Sequence, residues 1–170
     1  LVTAKAPSSG ATTHSELLAG VIEYLREHGF QNITIMEGSW VGDHTEDAFQ
    51  AAGYHQVCSR YSVPFVDLQR DTWKEYDAAG MKIKLCDKAA AVDYMINMPV
   101  LKGHCQTTVT CALKNNKGVI PNSEKRRFHT LGLHKPIAHL NTIARSDFIL
   151  VDNICGDLDF EEGGNPVVMN

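Results

Sequence analysis

Residues 94–104, Tyr-Met-Ile-Asn-Met-Pro-Val-Leu-Lys-Gly-His, decide the fold class that this sequence predicts. The first five residues, Tyr94–Met98, are strongly apolar, and a short apolar run of this kind is typical of a buried strand. Pro99 follows the run, and Lys102 and His104 come directly after it. The stretch therefore predicts a central strand with two side chains able to carry positive charge just beyond its carboxyl end.

Strand and helix signals alternate on both sides of this stretch, and we expect one domain over residues 1–170. Periodicity and turn residues predict these elements: strands at Leu1–Ala4, Asn32–Glu37, Val63–Leu68 and Asp147–Val151, the last of them buried; helices at 13–29, Thr45–Ala52 and Pro136–Ala144; a hairpin around Met81–Leu85; and a turn at Gly163–Pro166. Such alternation predicts an α/β fold with a mostly parallel sheet and helices on both faces. Because the chain lacks an initial Met and stops in an apolar segment, we expect it to be truncated at both ends.

A basic segment follows the predicted central strand. Residues 102–135 carry seven Lys and Arg against one acid, Glu124, whereas the whole chain carries 16 Lys and Arg against 20 Asp and Glu. A cationic segment on an acidic chain indicates a site for an anion. Ligands of parallel sheets bind beyond the carboxyl ends of the strands, where the beginning of this segment is expected to lie.

Residues 106–118 predict a helix that begins near Thr107 or Thr108 and ends at Asn116 or Gly118. A helix N-terminus beside Lys102 and His104 would offer backbone N–H groups to an anion. Lys114 lies two helical turns after Thr107 on nearly the same face. The alternative is a capped surface helix whose lysines are only solvated.

Three further features of the sequence each have two interpretations. His129 and His134 lie near Gly132 in a predicted loop, where with His104 they are a weak candidate for a metal site, since no acid accompanies them at metal-ligand spacing. The stretch from Lys125 to His129 is either a nucleic-acid patch or a solvated charge run. Asp152 follows a strand and is either a ligand-orienting carboxylate or a turn cap.

Several classes of protein have no signal in this sequence. The five cysteines include no Cys-x-x-Cys pair, which argues against an iron–sulfur or zinc framework and favours a reduced cytoplasmic protein. Phosphate-binding and nucleophile-elbow motifs are missing, as is an apolar run long enough to span a membrane. We expect five histidines to be structural or exposed: His14, His28, His44, His55 and His139.

Four segments together resemble a known prokaryotic family, domain of unknown function 362. They are Ile96–His104, Val109–Gly118, His129 and Ile149–Asp152. The family pattern is Pro-x-x-Lys-x-His, Thr-x-x-x-Lys-Asn-x-x-Gly, a downstream His, and a strand ending in Val-Asp-Gly, where this chain has Asn153 in place of the Gly. The resemblance implies an association with redox chemistry and a ferredoxin-like iron–sulfur module or partner. The Cys-x-x-Cys repeats of that module are not in this chain.

Spacing and resemblance together predict a site for an anionic small molecule or cofactor. The predicted catalytic residues are His104, which would transfer protons because imidazole titrates near neutrality, His129, and Asp152, which would orient one of these histidines. The predicted ligand-binding residues are Lys102, Thr107, Thr110, Lys114, Asn115 and Lys117. Three functions stay open: a redox-associated enzyme, a non-catalytic anion-binding module, and a nucleic-acid binder.

Overall fold

Helices and strands alternate along most of the chain, as the sequence predicts. The computed structural model describes residues 4–159 and 166–168. Its helices are α1 Ser15–Glu27, α2 Thr45–Ala51, α3 Tyr54–Tyr61, α4 Asp87–Ala90, α5 Ala112–Asn115, α6 Asn122–Thr130 and α7 His134–Leu140. Its strands are β1 Ile35–Glu37, β2 Phe65–Asp67, β3 Trp73–Ala78, β4 Met81–Cys86, β5 Ile96–Asn97, β6 Lys102–His104, β7 Thr108–Thr110, β8 Phe148–Ile149, β9 Cys155–Asp157 and β10 Pro166–Val168.

The parallel pair β1–β2 lies between two apolar layers. Ile35 pairs with Phe65, and both side chains pack against residues of α1, α2 and α3. The next pair in register, Met36 and Val66, packs against the larger core formed by α6, α7 and the β3–β4 hairpin. Because successive strand residues point to opposite faces, this pair has helices on both sides.

A second parallel pair, β5–β8, lies directly before residues of the candidate site in the sequence. Ile96 pairs with Phe148, and a further bridge joins Val100 to Asp152 beyond the ends of both strands. The prediction that residues 147–151 are buried is wrong, since Phe148 is 51% and Ile149 45% exposed. The apolar residues correctly predict a strand at this position, but other described residues cover only part of its side chains.

The α/β class is confirmed, and the mostly parallel sheet is confirmed only in part. Each described sheet has two strands: β1–β2 and β5–β8 are parallel, whereas β3–β4, β6–β7 and β9–β10 are antiparallel. The β3–β4 hairpin agrees with the one predicted around Met81–Leu85. More of the described strand pairs therefore join strands that are consecutive in sequence than join strands through a crossover connection.

The helix predicted for residues 106–118 is the largest error in the predicted fold. Lys102–His104 and Thr108–Thr110 form the antiparallel pair β6–β7, with Lys102 opposite Thr110. Only then do α5 and a 3-10 helix at Asn116–Val119 follow. The β-branched run Thr-Thr-Val-Thr favours a strand, and Thr108 takes a left-handed φ of 63° at its start.

Other differences are local. His129 lies in α6 and His134 begins α7, so neither is in the predicted loop. Helix α3 has no counterpart in the sequence-based prediction, which contains only the helix at Thr45–Ala52 in this region. The strand predicted at Leu1–Ala4 falls outside the described residues except for Ala4, and the turn at Gly163–Pro166 falls outside them except for Pro166.

Candidate functional site

Charged side chains are buried near the carboxyl ends of the parallel strands. Asp152 is fully buried, Lys102 is 2% exposed and Lys125 is 5% exposed. Burial of a charge is costly unless it is hydrogen-bonded or paired, so each of these groups needs partners. Their contacts define the candidate site.

Asp152 holds His14. The Asp152 Oδ2 atom accepts a hydrogen bond from the backbone N–H of His14 at 2.6 Å and lies 2.8 Å from His14 Nδ1. The Oδ1 atom accepts from the backbone N–H of Ile154 at 3.0 Å. A carboxylate accepts, so in the neutral ring of His14 the proton is on Nδ1 and the lone pair is on Nε2. Among the described residues, Asp152 thus contacts the imidazole of His14, whereas the sequence predicts His104 or His129 as its partner.

The segment before α1 is held on several sides, which fixes the position of His14. Lys102 Nζ donates to the carbonyl of Ala11 at 2.8 Å, and Tyr54 Oη donates to the carbonyl of Thr13 at 2.6 Å. The Thr13 hydroxyl donates to the carbonyl of Met98, beside β5, at 2.8 Å. His14 is the N-cap residue of α1, and its side chain remains 16% exposed. His14 thus has a fixed backbone, and its imidazole is partly accessible to solvent.

Tyr54 connects two parts of the site. Burial, together with the nearby carboxylates of Glu37 and Asp152, raises the pKa of Tyr54 above its usual range, and the contact with Thr13 offsets part of the increase. Glu37 ends β1 and lies so close to Gly118 that a Cβ added there would be 2.4 Å from Glu37 Oε1. Asp152, Tyr54, Glu37 and Gly118 therefore lie at one end of the molecule.

His104 is 6% exposed, and its own hairpin fixes its tautomer. Its Nδ1 atom accepts hydrogen bonds from the backbone N–H groups of Gln106, at 3.1 Å, and Thr107, at 3.2 Å. An accepting Nδ1 requires the proton of the neutral ring to be on Nε2. In this arrangement Nε2 has no lone pair to offer a metal or a substrate proton, so His104 fits the predicted role of general base less well than His14 does.

His129 forms a second histidine arrangement with Lys117. Lys117 Nζ lies 3.0 Å from His129 Nε2, and His129 Nδ1 lies 3.0 Å from Gln106 Oε1. An ammonium only donates and an amide oxygen only accepts, so both contacts are hydrogen bonds when the His129 ring is neutral with its proton on Nδ1. Gln106 therefore joins His104, through its backbone, to His129, through its side chain. The pair Lys117 and His129 is half-buried and lies in the basic segment.

The remaining predicted ligand-binding residues have mixed surroundings. The Thr107 hydroxyl donates to the carbonyl of Val109 at 3.0 Å, and the Asn115 amide donates to Asn97 Oδ1 at 2.7 Å, which ties α5 to β5. The Thr110 hydroxyl is buried and has no hydrogen-bond partner among the described residues. Lys114 is half-buried on α5. Thr107 and Asn115 thus have local structural contacts rather than an evident ligand position.

The Lys125 side chain is buried, and its ammonium group holds the loop that follows β1. Its Nζ atom donates to the carbonyls of Gly38 and Ser39, each at 2.8 Å, in the loop that follows β1. This ammonium is therefore not available to nucleic acid, nor is it the solvated charge of the alternative interpretation. Burial lowers the pKa of Lys125 to about 8, and the nearby Glu37 carboxylate limits the decrease.

The lowered pKa of Lys125 predicts a pH-dependent stability. The unfolded chain retains the Lys125 proton up to its ordinary value near 10.5, whereas the folded chain releases it near 8, so stability rises with pH between those values. We expect the free energy of unfolding of the wild type, relative to Lys125→Met, to increase by about 1 kcal/mol from pH 7.5 to 9. Urea titrations of both proteins at both pH values measure this difference, and a constant or falling difference would contradict it.

The described residues contain no group of three or more His, Cys, Asp or Glu side chains placed to hold a metal ion. The five cysteines are free thiols, and within the described residues they form no group that could hold a metal ion. Within the same residues, no helix combines the length and the apolar character needed to cross a membrane.

The fold and the buried site define an α/β domain with a polar centre at its strand ends, and comparison with known proteins then places the chain in a family. The chain belongs to the family described as Domain of unknown function (DUF362), whose model matches residues 1–170. It is also similar to the thylakoid-associated protein sll1697 of Synechocystis sp. (strain ATCC 27184 / PCC 6803 / Kazusa), at 26% identity over 129 residues. That alignment covers 76% of this chain and 40% of the relative, so the chain spans well under half of the relative's length. No solved structure matches this chain significantly.

The sequence-based site omitted His14, Glu37, Tyr54 and Gln106. His14 lies 138 positions from Asp152, and neither spacing nor charge indicates their contact. The available signal was the position of His14 directly before the first residue of α1, beside a polar loop. In parallel folds such loops converge with those that follow other strands.

Proposed function

We propose that this chain forms the proton-transferring part of an enzyme that acts on a small anionic molecule. The observation that supports it best is the contact between Asp152 and His14, in which a fully buried carboxylate fixes an imidazole that is partly open to solvent. A histidine oriented in this way is a suitable general base, because the carboxylate stabilises the imidazolium that forms. The basic segment around Lys117 supplies the attraction for an anion.

In the proposed step, His14 Nε2 removes a proton from a substrate carbon or oxygen that a neighbouring carbonyl or anionic group makes acidic. The electron pair of the broken bond stays on the substrate, and the imidazolium remains paired with Asp152. Returning the proton to the substrate or product restores the neutral ring. No described residue hydrogen-bonds Nε2 of His14, so a substrate atom can approach it.

Anion binding is assigned to Lys114 and Lys117, with His129 beside them. Lys117 and His129 are half-buried, which strengthens electrostatic attraction relative to a fully solvated lysine. The link through Tyr54 and Glu37 supports a position for this pair at the same end of the molecule as His14. A partner that supplies electrons, such as a ferredoxin-like protein, is a prediction from the family resemblance and is not needed for this step.

Hydrogen–deuterium exchange tests the proposal without knowledge of the complete reaction. A panel of carboxylated and phosphorylated metabolites is incubated with the protein in D₂O, and deuterium in each compound is measured by mass spectrometry. We expect His14→Gln to reduce exchange into the reactive compound at least about 100-fold. His28→Gln is the matched control, because His28 lies at the opposite end of α1 and its side chain hydrogen-bonds and stacks only with Tyr24 among the described residues.

Binding separates this proposal from a non-catalytic module. Thermal-shift titrations with the same panel should show that Lys117→Ala weakens binding, whereas Lys88→Ala, at an exposed position of α4, does not. Exchange at the wild-type rate in His14→Gln would refute the assigned base. Binding without exchange into any compound would favour the non-catalytic alternative.

A further inference from the structure

The loop after β1 carries an exposed tryptophan at the same end of the molecule as the candidate site. Trp40 is 50% exposed, although it belongs to a segment, residues 38–44, whose backbone is held from several sides. A single exposed apolar side chain needs no special explanation. Here, however, contacts with neighbouring residues fix both the backbone of the loop and the indole ring. A side chain that is both exposed and fixed calls for a functional explanation.

Two side chains hold the backbone of this loop. Gln69 Nε2 donates to the carbonyls of Ser39, Trp40 and Asp43, at 3.3, 3.3 and 3.0 Å, while Gln69 Oε1 accepts from the backbone N–H of Thr45 at 3.1 Å. Lys125 adds its two hydrogen bonds from the other side. The loop closes on itself through the N–H of Asp43, which donates to the Trp40 carbonyl at 3.0 Å. Such a loop loses little further entropy when a ligand binds.

The indole ring lies directly on Gly42. A Cβ added to Gly42 would be 1.6 Å from Trp40 Cζ3 and 2.4 Å from two further ring atoms, so only glycine permits this contact. The backbone of Gly42 thus covers one part of the ring while half of the side chain faces solvent. A fixed aromatic surface of this kind is suited to stacking with another planar ring.

The ring is also near the basic pair. Gly38 contacts the carbonyl oxygen of Gly118 so closely that an added Cβ would be 2.6 Å from it. Through this contact, the Cα atoms of Trp40 and Lys117 are at most about 18 Å apart, given the spacing of consecutive Cα atoms. This upper limit is compatible with one ligand the size of a nucleoside monophosphate lying between the two side chains.

We propose that Trp40 stacks on a planar ring of the anionic ligand, so that the site takes aromatic anions of the nucleotide type. This inference rests on the proposed function, because it assigns the anionic group to the site around Lys117 and His129. It adds the chemical class of the substrate, which is a flat ring joined to a phosphate or carboxylate.

Adenosine monophosphate, ribose 5-phosphate and adenosine are the probes for this proposal. The chain has two tryptophans, so Trp73→Phe leaves Trp40 as the only indole. In this variant we expect AMP to quench tryptophan fluorescence with saturation. By calorimetry, Trp40→Ala should bind AMP about tenfold more weakly than the wild type, the low end of what loss of one stacked base produces. Trp73→Ala is the matched control, since Trp73 is 44% exposed on β3 and stacks on Lys84.

Ribose 5-phosphate separates this inference from the proposed function. We expect it to bind more weakly than AMP, and equally to the wild type and to Trp40→Ala. If AMP binds Trp40→Ala as tightly as the wild type, or no more tightly than ribose 5-phosphate binds, stacking is refuted while anion binding stands. If neither phosphate binds the wild type, the nucleotide-type ligand is refuted, whereas the proposed function fails only if no compound of the metabolite panel binds or exchanges.

Discussion

Asp152→Asn is expected to lower the free energy of unfolding by about 2–4 kcal/mol. The carboxylate is fully buried and accepts three hydrogen bonds, two from His14 and one from Ile154. An amide has a single accepting oxygen, so its NH₂ group must face at least one of these donors, leaving both unsatisfied. The substitution also removes a negative charge at the N-terminus of α1, where the helix dipole favours one.

Urea unfolding followed by circular dichroism measures this effect. Asp93→Asn is the control, because Asp93 is exposed and has no hydrogen-bond or ion-pair partner among the described residues; we expect a change within about 0.5 kcal/mol. Equal stability of the two variants would show that the Asp152 carboxylate does not hold the segment before α1.

Gly38→Ala is the second substitution with a large expected effect. The new Cβ would lie 2.6 Å from the backbone oxygen of Gly118 and 2.8 Å from Lys125 Nζ. Backbone at Gly118 cannot move without disturbing the 3-10 helix that follows α5, so we expect a loss of about 1–3 kcal/mol. Thermal and urea unfolding measure the loss.

Gly20→Ala is the opposite case and serves as its control. Gly20 lies inside α1, and apart from its chain neighbours and the backbone of its own helix no described atom lies within 4 Å of an added Cβ. Alanine there should stabilise the protein by about 0.5–1 kcal/mol, since it favours the helix. If both alanine variants were equally stable, the close approach of the β1 loop to Gly118 would be refuted.

The sequence predicts those parts of the fold that depend on local pattern. Helix α1 and the β3–β4 hairpin follow from periodicity, and both are present. Lys102, His104 and Asp152 are correctly expected beyond strand ends. The family membership, predicted from four short motifs, is confirmed over the whole chain.

What the sequence does not reveal depends on contacts between distant residues. The stretch from Thr107 to Gly118 contains both strand and helix formers, and the pairing of Thr110 with Lys102 decides in favour of a strand. The charge of Lys125 indicates solvent exposure, yet two loop carbonyls stabilise it in the interior. The partner of Asp152 depends on where the chain returns after 138 residues, and local pattern carries no information about that.

The proposed role of His14 depends on its contact with Asp152, and side-chain ¹⁵N NMR tests this contact most directly. Long-range ¹H–¹⁵N spectra of the wild type identify the protonated nitrogen of each histidine, with the His14 signals assigned from His14→Gln. We predict that neutral His14 carries its proton on Nδ1 in the wild type and that Asp152→Asn changes this distribution. A proton on Nε2 of neutral His14 in the wild type, or identical His14 signals in Asp152→Asn, would contradict the claim.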